Sequence, residues 1–181
     1  MNSMAWLALL VWVGVPLLAL LFGVLLWRRS KTPLGEVFTV VAIFAILSAP
    51  MLVSNGVKAY YDQQVREMCA KDGGVRVYET VRLSAEKFNE WRQVRIPSKQ
   101  NAKLGDEYFY GAISNQLRNG NLEIWQYKYK VYRRVDNKLL GESLGYARGG
   151  GDLPGPWHES SFGCPGNTDI TDLNKLIFVK N

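Results

Sequence analysis

The residue types of hydrolytic chemistry come close together in only one stretch. Between Arg148 and Gly166 lie Asp152, His158, Ser160 and Ser161. Asp, His and Ser are the parts of an activated nucleophile, but such triads are assembled by a fold from distant segments, and no strand–Ser–helix elbow surrounds either serine. Zinc requires three or four ligands, and the chain holds one histidine and two cysteines. The run Gly149-Gly150-Gly151 is not followed by Lys-Ser or Lys-Thr and opens no helix, so it is no phosphate loop. These residues therefore nominate no catalytic set, no cofactor and no metal, and the expectation is a protein that is not an enzyme. Arg148, Asp152, Trp157 and His158 stand as a candidate partner or ligand surface. A ligand-binding or hydrolytic domain using residues 148–166 is the alternative. In the plainer reading Trp157 and Phe162 plug the core, Arg148 pairs with Asp152, and Cys164 staples the loop down.

The two cysteines are Cys69 and Cys164, 95 positions apart. An even pair in an oxidising compartment reads as one disulfide, to which the chain-entropy model assigns about 4–5 kcal/mol. Two buried free thiols are the alternative.

The elements that position these groups begin with two apolar runs. Ala5 to Trp27 contains no charge; at about 1.5 Å per residue it spans roughly the 30 Å of a bilayer core. A second uncharged run, from Val37 to Val53, extends at little cost to Val57 and contains Pro50. The expected spans are 5–27 and 35–57. A cleaved signal is the alternative for the first, but no basic residue precedes it and it exceeds a normal signal core. Arg28, Arg29 and Lys31 are the bases of the connecting loop 28–34, which basic residues keep cytoplasmic. Both termini then lie outside. Trp6 and Trp27 suit the two interfaces, while Thr32 and Pro33 suit the cap and first position of the second helix.

Beyond residue 57 the chain reads as an α+β domain covering 58–181. Val57, Tyr61, Val65 and Met68 form a helical stripe that ends at Asp72-Gly73-Gly74, which makes the junction with the anchor a stiff helix. Val75–Leu83 alternates as one strand with Glu79 oddly on its apolar face, and Ser84 is expected to cap a helix over Ala85–Trp91. Further strands are expected at Tyr108–Ile113, Leu122–Val135, Lys138–Ala147 and Leu176–Lys180. Asp136-Asn137 marks a hairpin, and Gly141 and Gly145 mark bulges or close backbone approach. The sum is a two-helix transmembrane hairpin followed by a small antiparallel sheet with one or two helices.

The whole chain carries 22 Lys+Arg against 16 Asp+Glu, a mild excess. Lys128, Lys130, Arg133 and Arg134 interleave with tyrosines, but a domain outside the cytoplasm rarely meets nucleic acid, and solvation or anionic head groups suit the same charges.

The blocks Cys69-Ala-Lys-Asp-Gly-Gly, Val77-Tyr-Glu-Thr-Val81, Arg148-Gly-Gly-Gly-Asp-Leu-Pro-Gly-Pro-Trp-His158 and Cys164-Pro165 resemble those of proteobacterial membrane-anchored proteins without an established activity. The resemblance covers most of residues 60–166 and implies a bacterial inner membrane and a periplasmic domain; it transfers no catalytic residue. The functional expectation is an inner-membrane protein whose periplasmic domain binds a protein partner, as an accessory or assembly subunit of an envelope complex. A superinfection-exclusion or immunity-type factor is the alternative. The bilayer is the first partner, and a second copy of the chain is an admissible one.

Overall fold

The computed structural model describes residues 10–29, 32–155, 158–164, 166 and 168–181. Trp6 and Trp157, to which the sequence assigns an interfacial and a plugging role, lie outside them. The chain is α+β and divides into two compact units.

The first unit comprises the residues up to Tyr60 together with Gly151–Ser160. A π-helical turn, Leu10–Gly14, leads into α1, Val15–Arg29, which ends on two arginines beside the negative helix terminus. Helix α2 runs from Pro33 to Asp72. Its start follows the expected chemistry. The Thr32 hydroxyl accepts from the Gly35 N–H (3.3 Å), and Pro33 occupies the first turn, where a missing N–H costs nothing. The π-helical turn and α1 together, Leu10–Arg29, and α2 are each long and apolar enough to cross a membrane. Helix α2 continues past residue 57 without a break, as the stiff junction expected from the sequence requires, and at 40 residues it is longer than one span needs. Small residues let α1 approach α2. Ala19 and Gly23 are buried, and a Cβ built on Gly23 would collide with Ile43. Thr39, also buried, returns its hydroxyl to the Gly35 carbonyl of its own helix (2.8 Å).

The second unit holds the sheets, Tyr61–Gly150 with Ser161–Asn181. The larger sheet has the order β1-β5-β4-β3, with β6 on the end of β5. Its strands are β1 (Gly74–Val77), β3 (Tyr108–Arg118), β4 (Leu122–Arg133), β5 (Leu139–Gly150) and β6 (Ser161–Gly163), all antiparallel. The smaller pairs β2 (Val81–Leu83) with β7 (Phe178–Lys180) in parallel. One face of the larger sheet receives the end of α2: Val65 is fully buried against Leu122, Ile124 and Tyr146, with Tyr61 and Met68 beside it. From Tyr61 on, the stripe read from the sequence is the face the helix buries, whereas Val57 is exposed; the helix ends where Gly73 returns its N–H to the Cys69 carbonyl and Gly74 takes φ +123°.

The other face is covered by α3 (Ile170–Ile177), whose Leu173 and Ile177 are fully buried with Val131, Leu140 and Phe178. At about 1.5–3 kcal/mol for each large apolar side chain removed from water, these two layers dominate the unit's stability. Helix α3 replaces the first half of the strand expected at Leu176–Lys180. Asp169 caps it by accepting from the Asp172 N–H (2.8 Å), and Ile170, Leu173 and Ile177 recur at helical spacing. Two more expectations are corrected. Val75–Leu83 is two strands in different sheets, because the Tyr78 and Glu79 N–H groups both turn to the Leu140 carbonyl and the Glu79 carboxylate is drawn to Arg133 and Lys138. After Ser84 there is one 3-10 turn, Ala85–Lys87, with no side-chain cap, in place of a helix to Trp91.

Gly141 and Gly145 are positions of close approach. A Cβ on Gly141 would meet Ile177 Cδ1 at 2.9 Å and Leu173 Cδ1 at 3.2 Å, whereas one on Gly111 meets nothing nearer than 3.9 Å. Gly141→Ala should therefore destabilise the protein by about 1–3 kcal/mol by pushing α3 off the sheet, and Gly111→Ala by almost nothing. Guanidinium unfolding of the two variants in the same detergent checks this; equal midpoints would show that α3 has room to give.

Candidate functional site

The stretch 148–164 leaves the end of β5, turns, and returns as β6. Its turn is made possible by glycine: Gly150 and Gly151 adopt φ +74° and +85°. Within each unit, residues of the stretch meet polar side chains of α2, which recur in the sequence at four-residue spacing as Ser54, Lys58, Asp62 and Arg66.

In the first unit, the Ser54 hydroxyl donates to the Gly151 carbonyl (2.8 Å), and Lys58 Nζ meets Asp152 Oδ1 at 2.7 Å. The second Asp152 oxygen accepts the Ser160 N–H, and Trp12 Nε1 donates to the Pro154 carbonyl (2.6 Å). Partial burial pushes the Asp152 carboxyl up, but Lys58 and Ser160 outweigh it and hold the carboxyl at about 2.

In the second unit, Arg148 is only 3% exposed; its Nε donates to Asp62 and its Nη1 to the Gly150 carbonyl. An unpaired guanidinium at that depth would cost several kcal/mol, and Asp62 supplies the counter-charge. Arg66 lies 5.0 Å over the Phe162 ring. One turn further, Cys69 is joined to Cys164 in a disulfide, and no free cysteine remains among the described residues.

The candidate surface is thus broken up. The expected Arg148–Asp152 pair does not form, since each residue has another partner on α2. His158 is exposed and makes no hydrogen bond to Asp152 or to either serine. Phe162 packs against the cluster around Val65 as a half-buried side chain. Lys58 and Asp62 were not singled out from the sequence as partners. The available signal was the recurrence of Ser54, Lys58, Asp62 and Arg66 every four residues directly after an uncharged run.

The basic strand face is also occupied. Glu142 accepts from the Tyr78 hydroxyl (2.8 Å) and lies 3.4 Å from Lys128 and 4.0 Å from Lys130. Tyr78 above all, then the two lysines, hold its carboxyl below the usual range. Arg133 is shared by Glu79 and Asp136, and Arg134 lies over Phe109. No group of three His, Cys, Asp or Glu placed to hold a metal occurs among the described residues. No protein-family model matches the chain, and no match occurs among curated proteins or solved structures.

Two outcomes follow from this geometry. Thiol labelling of the denatured, unreduced protein should modify neither cysteine; two reactive thiols would contradict the bond, whose removal by Cys69→Ser should cost about 2–5 kcal/mol. The Lys58–Asp152 pair carries a pH signature. Its folded carboxyl sits at about 2, below the ordinary value near 3.9, so its contribution is complete above the ordinary value and is lost as pH falls through the folded one. At pH 7 Asp152→Asn should lose about 1 kcal/mol relative to wild type. That difference should shrink between about pH 4 and pH 2 in paired denaturation curves; a gap unchanged at pH 2 would assign the loss to something other than the charge.

Proposed function

We propose that the chain is a bacterial inner-membrane protein whose two apolar helices cross the bilayer as a hairpin, with both ends outside the cytoplasm, and that its periplasmic sheet domain binds a protein partner as a non-enzymatic accessory or assembly subunit of an envelope complex. The observation that carries this reading is the exposure of large apolar side chains all along α1 and the first half of α2: Leu18 is 67% exposed and Phe44 73%. In water each such side chain forfeits about 1.5–3 kcal/mol, a deficit a bilayer removes.

Orientation is supported by Arg28 and Arg29 at the link between the helices, since basic residues in short loops stay cytoplasmic. The far ends then lie outside, where Trp12, Ser54 and Lys58 meet residues 151–154. The disulfide suits the same compartment. The resemblance to proteobacterial membrane-anchored proteins favours the inner membrane. The non-enzymatic part of the reading is supported by the use of Arg148 and Asp152 in structural pairs, which withdraws them from chemistry.

Two measurements test the reading. Alkaline phosphatase fused after Val135 should be active, and the same enzyme fused after Arg29 should not; the reverse pattern would overturn the topology. Affinity purification from native membranes in mild detergent should recover a defined second protein at constant stoichiometry. A chain that emerges alone after crosslinking in intact cells would sink the accessory role.

A further inference from the structure

A cavity of about 330 Å³ in the sheet unit lies between α3, the segment 89–96 and Tyr110, the size of a small-ligand site. Its walls are held in place. Phe88 bridges to Val94, the Asn89 N–H donates to the Gln93 carbonyl (3.0 Å), and Asn89 Oδ1 accepts from the Trp91 and Gln93 N–H groups (3.0 and 2.8 Å). Just beyond, the Tyr110 N–H donates to the Pro97 carbonyl (3.0 Å). Asn174 of α3 also lines the cavity and is only 7% exposed, yet its Oδ1 is buried and accepts no hydrogen bond. A buried acceptor left without a donor is costly and uncommon. One water would fill a small part of this space, since a water occupies about 30 Å³. Arg95 is the single charged residue of the lining; its side chain is exposed and has no hydrogen-bond or ion-pair partner among the described residues.

We propose that this cavity binds the C-terminal end of a peptide chain, with the terminal carboxylate on Arg95 and the N–H of the last residue on Asn174 Oδ1. Each group of the site asks for one part of that ligand. The guanidinium calls for an anion, and a carboxylate meets its fork of donors two at a time. The Asn174 acceptor calls for an N–H or O–H, and the nitrogen of the same amide is a donor that suits the carbonyl of the preceding residue. Val94, Ile96 and Ile170 form an apolar wall for the last side chain.

Other ligand classes leave part of the site unused. Inorganic phosphate satisfies Arg95 and offers nothing to the apolar wall. A neutral saccharide gives hydroxyls to Asn174 and no anion to Arg95. A free amino acid carries an α-ammonium, and no Asp or Glu lines the cavity to balance it; acylation of that nitrogen removes the charge and keeps the N–H. The site goes beyond the proposed function and fails separately from it: a chain that binds the peptide but copurifies with no second protein keeps the site and loses the accessory role, and the opposite result loses the site alone.

The test titrates the full chain in mild detergent by calorimetry. Acetyl-alanyl-leucine with a free carboxylate should bind at least tenfold more tightly than the same peptide with its C-terminus amidated, and than free leucine. Arg95→Gln should weaken the carboxylate peptide at least tenfold and leave the amidated one unchanged. Asn174→Leu, which removes the unpaired acceptor at nearly constant volume, should weaken both peptides at least tenfold while the guanidinium unfolding midpoint stays the same or rises. A D-leucine at the terminus separates two sources, either of which supports the site: tighter binding of the L form assigns it to the end of a protein, and of the D form to a cell-wall peptide. The proposal is overturned if the carboxylate peptide does not bind at millimolar concentration, if amidation leaves its affinity unchanged, or if Arg95→Gln or Asn174→Leu binds it as wild type does.

Discussion

Covering the larger sheet on both faces is the requirement from which the rest of this structure follows. A five-stranded antiparallel sheet with apolar residues on both faces is not stable until each is removed from water. Here α3 closes one face over Val131 and Leu140. The other is closed by the last turns of α2, whose Val65 is fully buried among Leu122, Ile124 and Tyr146. That layer is the tail of the same helix whose first half exposes its apolar side chains. One element therefore carries two kinds of surface, an exposed apolar half and a half whose apolar stripe is buried, and its sequence records the change. Residues 37–57 carry no charge, and from Lys58 onward charged residues alternate with the buried stripe. The disulfide sits where such an arrangement is most exposed to loss, at the helix's final turn, and ties that turn to the strand beside the face it covers.

What was legible in the sequence follows from periodicity and local punctuation. The stripe Tyr61, Val65 and Met68, the stop at Asp72-Gly73-Gly74, the long strand from Leu122 and the close approach at Gly141 each depend on interactions within a few residues, or on a period a window can measure. The failures have a common physical origin. Val75–Leu83 keeps strand alternation throughout, yet Glu79 is pulled out of register by Arg133 and Lys138, more than fifty residues away. Ser84 is a good cap type with no helix to cap, because Phe88 is drawn into a bridge with Val94 instead. Helix α3 announces itself only through Asp169 and three apolar residues, and Phe178-Val179-Lys180 at its end favours the strand reading that prevails there. Of the candidate surface, residue types were legible and partners were not: Arg148 and Asp152 are close in sequence and opposite in charge, but a buried guanidinium takes the counter-ion that the fold presents, and that is Asp62.

The glycines and the acid of the 148–164 stretch, which read locally as functional signals, are explained by backbone needs. Gly150 and Gly151 take left-handed conformations that other residues adopt only under strain, and their carbonyls are acceptors for Arg148 and Ser54. A Cβ at either position would strain the turn from β5 that presents those oxygens. Asp152 engages both carboxylate oxygens, one with Lys58 and one with the Ser160 N–H. A carboxylate so engaged is held ionised at about 2 and is a poor proton acceptor near neutrality, because a base is effective when its acidity lies near the working pH. A loop rich in glycine, acid and histidine can thus arise where a chain must turn sharply beside a helix that has just become polar. In this chain Lys58 and Asp62, the first charges that α2 carries beyond its uncharged run, are the counter-charges of Asp152 and Arg148.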